Sequence, residues 1–326
     1  MKTAPEKEDA QFRPIQLEFL QGRSQDSFDI FYKTNSFGTV RFVKFASTDP
    51  RHQDKVKQLI ASGETNQDFF IREEDLIKYY HHATEHLRAL VSNPQTPFKE
   101  KTQKIYHVSK EIMKEFFAYN ASNKILQSAD EVMSLMDQCF AGTQGEFYSL
   151  SLITNKDYYT YTHSVNVGMY CLAYGIKTKM ASQDTRELGL GGMLHDVGKV
   201  KIDSAIINKD GKLTDDEFEI VKEHSPLGED ILQSMNCYGL TVVQMAGQHH
   251  ERFDGKGYPR GLAGEEISIY GRICKVMDVY DALTTRRSYK KALAPFDALI
   301  LMKKQMGGEF DLEILQNFVR YMGPGL

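Results

Sequence analysis

The stretch Met193-Leu-His-Asp-Val-Gly-Lys199 sets an imidazole beside a carboxylate at the end of an apolar run at helical spacing that begins near Ser182. An unpaired charge in such a place is costly, so His195 and Asp196 call for a counter-charge, and a metal ion would supply it. Asp278 poses the same problem in Ile273-Cys-Lys-Val-Met-Asp-Val-Tyr-Asp-Ala-Leu283, a helical segment that is apolar on most sides with a carboxylate in its middle. Taken alone, Asp278 reads equally well as a capped or solvent-facing carboxylate. Five of the ten histidines lie in this half of the chain: His163, His195, His224 after Glu223, and the adjacent His249 and His250 before Glu251. Histidine and aspartate ligands without thiolate suit iron or manganese, and also zinc, whereas cages of oxygen alone suit magnesium or calcium. Two such ions about 3.5 to 4 Å apart would serve in-line hydrolysis of a phosphodiester.

Working outward, the C-terminal half reads as helix after helix with short Gly-containing turns. Helices are expected from Tyr158 to about Gly175, Ser182 to Leu194, Asp215 to Met235, Val242 to His250, Ile269 to Thr284, Phe296 to Met306 and Leu312 to Tyr321. Thr214-Asp-Asp-Glu217 has the form of a capping box that starts the third of these. Asp254-Gly-Lys-Gly-Tyr-Pro-Arg-Gly261 holds three glycines and a proline in eight residues, which predicts a loop at the rim of the site. Tyr258 within it could stack on a base, bond a phosphate, or simply pack the turn.

Upstream, Phe28–Tyr32 and Thr39–Phe45 are rich in β-branched and aromatic residues around Asn35-Ser-Phe-Gly38, which reads as a β-hairpin; Asp68–Arg72 would add a strand. Helical periodicity follows from Glu74 to about Arg88 and from Phe98 to about Gly142, interrupted by Ser92-Asn-Pro-Gln-Thr-Pro97. On the first of these helices His82-Ala-Thr-Glu85-His86 matches the HxxEH string of one zinc-protease class; a chance arrangement of helical histidines reads as well. The expectation is a mostly α chain: a small α+β module over residues 1–75, linking helices over 76–148, and an all-α domain over 149–326.

Composition agrees with a packed protein of two domains on a prior of ~150 residues each: 326 residues, 41% hydrophobic and 26% charged. The formal net charge of −4 argues against a general DNA-binding surface. The N-terminus Met1-Lys-Thr-Ala-Pro-Glu-Lys-Glu8 lacks the apolar core of a signal peptide, and no stretch approaches ~20 apolar residues, so a cytoplasmic protein without membrane insertion is expected. Cys139, Cys171, Cys237 and Cys274 are far apart with no CxxC pair and read as reduced core residues.

His163-Ser, His195-Asp196-Val-Gly-Lys199, His224, His249-His250-Glu251-Arg-Phe-Asp254-Gly-Lys-Gly257-Tyr258-Pro259 and Asp278-Val-Tyr-Asp281-Ala-Leu-Thr resemble the HD-GYP family in order and spacing over roughly residues 150 to 322. The signal is specific, because an HHExxDGxGYP string and an HD pair must co-occur at the proper separations. The resemblance implies an HD-type helical bundle that hydrolyses cyclic di-GMP to linear pGpG, with a second cut to GMP left open, by a metal-bridging hydroxide. It implies that His163, His195, Asp196 and Asp278 hold one ion, with Asp196 bridging to a second held by His224, His249 and His250. By the same resemblance Lys199 lies near the scissile phosphate, and Arg287 and Lys290 contact the dinucleotide, with Tyr258 of the rim loop a further substrate-binding candidate; on residue type alone, Lys199 reads also as a helix C-terminal cation and Arg287 as a solvated surface residue. Where some members carry a glutamate for a third ion this chain has Tyr159, so two ions are expected. Arg286 and Ser288 stand where Asp and Pro are frequent, which alters the substrate-facing turn and motivates an alternative reading: a weakly catalytic cyclic di-GMP sensor or scaffold acting through signalling-protein partners. A third reading keeps the hydrolase but with another cyclic dinucleotide, and nothing in the sequence speaks to the oligomeric state.

Overall fold

The computed structural model describes residues 11–20, 28–36, 39–47, 68–119, 122–141, 159–286 and 291–322, together with 52, 56, 58 and 154. It divides into two compact units, Met1–Gln95 and Thr96–Leu326.

In the first unit, strands β1 (Phe12–Ile15), β2 (Ile30–Ser36), β3 (Thr39–Ala46) and β4 (Phe69–Arg72) form an antiparallel sheet in the order β1-β4-β2-β3. The expected hairpin is the β2–β3 pair, running from Ile30 opposite Ala46 to Ser36 opposite Thr39. Strand β1 was not expected, since Phe12-Arg-Pro-Ile15 has Pro14 in its middle; the proline is tolerated because β1 lies at a sheet edge, where one row of donors needs no partner. Helix α1 (Leu76–Ser92) buries Leu76, Tyr79, Tyr80, Ala83 and Leu87, and the Tyr79 hydroxyl accepts from the backbone N–H of Gln16 at 3.0 Å.

The second unit is helical. The single periodic run expected over Phe98 to Gly142 is two helices, α2 (Phe98–Ala118) and α3 (Asn123–Ala141). Ser122 and Asn123 stand at the start of the second, and their side chains compete for backbone hydrogen bonds and so favour helix ends. Then come α4 (Thr160–Lys177), α5 (Ser182–Leu194), a 3-10 turn at Val197–Lys201, and the short α6 (Ser204–Ile207). The helix expected over Asp215 to Met235 is also divided, into α7 (Asp215–Lys222) and α8 (His224–Met235). Pro226 explains the division: it has no N–H to give to the carbonyl four residues back, that of Lys222, where α7 ends. The capping box at Thr214 and Glu217 is present. Helices α9 (Leu240–Gln248), α10 (Ile269–Thr284), α11 (Pro295–Gln305) and α12 (Leu312–Met322) complete the described part.

Helices α4 and α5 pack together, α10 lies against α4, and α9 lies against α5, α8 and α10. Their shared core includes Val165, Leu172, Met193, Leu194, Met245 and Val276, all essentially inaccessible to solvent. Three cysteines lie in the interior as expected; Cys237 is exposed, because it follows the left-handed Asn236 that ends α8 and falls in a surface turn. Among the described residues no helix is long and apolar enough to cross a membrane.

Candidate metal centre

Helix ends deliver most of the site. His163 lies in the first turn of α4, His195 caps α5 with Asp196 directly after it, His224 opens α8, His249 caps α9 with His250 next, and Asp278 projects from within α10. Gly198 sets the fit between two of these pieces. A Cβ there would collide with the backbone carbonyl of His224, so only glycine lets the turn after Asp196 seat against the start of α8.

The side chains converge on Asp196. Its Oδ2 lies 3.5 Å from His195 Nε2 and 3.8 Å from His163 Nε2, and its Oδ1 lies 3.3 Å from His224 Nε2 and 3.8 Å from His249 Nε2. Each carboxylate oxygen therefore faces a different pair of imidazoles. Ligand atoms of His163, His195 and Asp196 fall within 4.8 Å of one another, as do those of Asp196, His224, His249 and His250. Asp278 completes the set from α10, with Oδ1 3.1 Å from His163 Nε2 and Oδ2 4.0 Å from His250 Nδ1.

Protonation follows from the outer partners. Nδ1 of His195, His224 and His249 lies at 2.7, 2.5 and 2.9 Å from the carbonyls of Gly192, Val221 and Ala246. A carbonyl only accepts, so each Nδ1 carries the proton and each Nε2 turns a lone pair toward Asp196. The Nε2 atoms of His224 and His249 meet at 3.1 Å, and buried His195 Nε2 and Asp196 Oδ1 have no hydrogen-bond partner. Converging lone pairs beside a carboxylate repel unless a cation lies among them, so these residues fit a divalent ion.

Electrostatics agree with that reading. Burial lowers the pKa of His195, His249 and His250, and brings His224 down to about 4, which keeps the imidazoles neutral as ligands must be. Burial alone would raise the Asp196 and Asp278 carboxyls. Lys199 beside Asp196 and the His163 ring beside Asp278 outweigh it and hold both well below the usual carboxylate range.

The cluster forms part of the lining of a pocket of about 550 Å³. Lys199 reaches into it and donates to Asp196 Oδ2 at 2.5 Å. Tyr258 stacks on His250 with ring centroids 4.6 Å apart, and Phe218 of α7 stands edge-on to Tyr258 at 6.3 Å. One face of Tyr258 is thus already occupied by protein. Its loop has the expected backbone, with Gly255 and Gly261 at φ of 75° and 67° and a cis Tyr258–Pro259 bond. Arg286 is exposed, while Arg287, Ser288 and Lys290 lie outside the described residues. Tyr159 is exposed at the head of α4 and stacks on Tyr161. His82 and His86 belong to no group that could hold a metal among the described residues.

A family model described as "HD domain" matches residues 149–314, half of the chain. This chain belongs to the HD domain family. It is 41% identical over 175 residues to a protein of Pseudomonas aeruginosa named cyclic di-GMP phosphodiesterase, an alignment covering 54% of this chain and 42% of that one. It is 36% identical over 162 residues to a Vibrio cholerae protein named 3'3'-cGAMP-specific phosphodiesterase 3, covering 50% of this chain and 35% of that one. The chain spans less than half the length of these curated relatives. Among solved structures it is similar to an HDG"Y"P protein from Bdellovibrio bacteriovorus, with a TM-score of 0.66, 16% identity, and coverage of 94% of this chain and 98% of that one. That likeness is one of fold. The resemblance to HD-GYP proteins drawn from the motifs is borne out.

Several residues that support the site escaped the sequence reading. Asp281 accepts from His163 Nδ1 at 2.8 Å and from Asn166 Nδ2 at 2.8 Å, and the Tyr106 hydroxyl donates to Asn166 Oδ1 at 2.6 Å. This buried chain orients His163 from α2, α4 and α10. Asp281 was quoted only within the string that follows Asp278, and its spacing of three residues on one helix face was the signal that could have assigned it a role. Glu251, quoted only as part of a string, is buried and accepts from the N–H groups of Arg260 and Leu262 at 2.7 and 3.0 Å, which closes the glycine-rich loop of the HD domain over its own start. A Cβ at Gly257 would meet the backbone of Glu251 and Arg252, so that closure needs a glycine there.

Proposed function

We propose that this HD-domain chain hydrolyses a phosphodiester bond of cyclic di-GMP to give linear pGpG. The observation that carries the reading is the placement of Asp196, whose two oxygens face separate histidine pairs at the floor of a pocket. His163, His195, Asp196 and Asp278 would hold one divalent ion, and Asp196, His224, His249 and His250 a second. Nitrogen and oxygen donors without thiolate favour iron or manganese. A pair of such ions supplies activation of water and neutralisation of the phosphoryl oxygens.

The remaining work falls to the chain. Asp281 holds the His163 ring so that Nε2 faces Asp278 and Asp196. Lys199 lies on the side of Asp196 open to the pocket, where its ammonium would stabilise charge developing on the phosphoryl group. Tyr258 keeps His250 in place by stacking, and Arg287 and Lys290 would bind the dinucleotide. With no glutamate at position 159 to serve a third ion, the reaction is expected to stop at pGpG.

The name of the Vibrio cholerae relative favours a second reading, in which the same chemistry acts on 3'3'-cGAMP. Both are tested by anaerobic purification, metal analysis and a panel of cyclic dinucleotides. Turnover with about two iron or manganese ions per chain, abolished by Asp196→Ala, supports the hydrolase, and the preferred substrate separates the two nucleotides. A loaded protein that binds cyclic di-GMP without cleaving it would make the chain a sensor acting through a partner.

A further inference from the structure

Lys275 stands one turn before Asp278 on α10, is 9% exposed, and lines the same pocket. An ammonium carries three donors, and a buried one left without acceptors is destabilising. The contacts of Lys275 do not meet that need. Its carboxylate neighbour is Glu309, at 4.0 Å from Nζ, beyond hydrogen-bond reach. Glu309 is itself drawn to Arg252 Nη1 at 3.3 Å, and Arg252 in turn forks onto Asp254 at 2.9 and 2.7 Å. Asp278, the other acid near Lys275, is turned to His163 at 3.1 Å. Burial accordingly lowers the Lys275 pKa.

Lys199, by contrast, has a tight partner in Asp196 at 2.5 Å. Among the described residues the pocket therefore holds one lysine hydrogen-bonded to a carboxylate and one whose carboxylate neighbour stands off at 4.0 Å. Lys275 lines the pocket, so its acceptors come from the water or the anion that fills it, and a compact ammonium suits an anionic oxygen of phosphate.

We propose that Lys275 is a substrate-binding residue that takes a non-bridging phosphate oxygen. The proposal rests on the reading of this pocket as a phosphodiester site, but not on which nucleotide fills it.

The test uses the full metal-loaded chain with two probes, inorganic phosphate and cyclic di-GMP, in wild type, Lys275→Met and Glu309→Gln. Lys275→Met is expected to weaken phosphate binding and raise KM roughly tenfold or more, as for a lost charge-assisted hydrogen bond. Metal content should be unchanged, and kcat should move less than KM. Glu309→Gln removes the distant acceptor and frees the ammonium, so phosphate binding should hold or tighten. If the pair were only structural, the two variants would weaken binding together. Such a parallel loss, equal phosphate binding by wild type and Lys275→Met, or loss of metal from Lys275→Met would each overturn the assignment. Glu309→Gln decides the matter even if Lys275→Met does not fold, since weaker phosphate binding in it counts against the proposal. A wild type that ignores cyclic di-GMP while Lys275 still sets phosphate affinity would sink the nucleotide reading and leave this one standing.

Discussion

Asp196 is shared by both ligand groups, so its loss should be felt by both. Asp196→Ala is expected to abolish turnover and to bring bound metal well below that of wild type, as measured by elemental analysis of the purified protein. Asp281 acts at one remove, through the His163 ring. Asp281→Ala should lower metal affinity about 10- to 100-fold, the usual effect of removing an outer partner of a ligating histidine; a metal titration unchanged from wild type would contradict that role. The buried imidazoles also make a pH prediction. His224 has a folded-state pKa of about 4 against 6.5 for the free side chain, so the unfolded chain takes up the proton first. Its contribution to stability is complete above pH 6.5 and is lost as the pH falls from 6.5 toward 4, and lowered values at His195, His249 and His250 act in the same direction. Denaturant midpoints of the metal-free protein measured between pH 7 and pH 4 should fall steadily.

Helix α10 combines three of the roles described, carrying Lys275, Asp278 and Asp281 at intervals of three so that they lie on the side toward the pocket and α4. Its limits, Ile269 to Thr284, were readable from periodicity because apolar residues fill the remaining faces. Helices α7 and α8 were harder, since a run of helical residues from Asp215 to Met235 hides a break whose cause, Pro226, acts on the carbonyl of a residue four positions earlier. That break matters to the site, for it makes His224 the first residue of a new helix instead of an interior one. The turn after Asp196 depends on the same junction. Gly198→Ala would force a methyl group against the His224 carbonyl and should destabilise the protein by about 1 to 3 kcal/mol, the usual cost of overpacking, as read from chemical denaturation.

The two units differ in how far sequence periodicity described them. In Thr96–Leu326 helices α5 and α10 match their expected limits, two expected runs each divide into a pair of helices, and the outer boundaries move by a few residues, because amphipathic helices announce themselves over many turns while a short break does not. In Met1–Gln95 the edge strand β1 went unread, because four residues with a proline carry almost no signal. Metal should act on the stability of the protein as a whole. An ion that binds the folded chain at 100 times its Kd adds about 2.7 kcal/mol, so a chelator should lower the melting temperature and iron or manganese should restore it. A melting temperature indifferent to both would argue against a resident metal.

Residue type and spacing were enough to assemble His163, His195, Asp196, His224, His249, His250 and Asp278 as one candidate set, because buried charges and clustered imidazoles need a common explanation wherever the chain folds. They could not say which oxygen of Asp196 faces which histidines, that Tyr258 spends a face on His250, or that Lys275 is left without a close acceptor. Those are relations between helices far apart in the chain. Only packing decides them, since distances and directions between side chains are set by how the helices cross and where their ends fall.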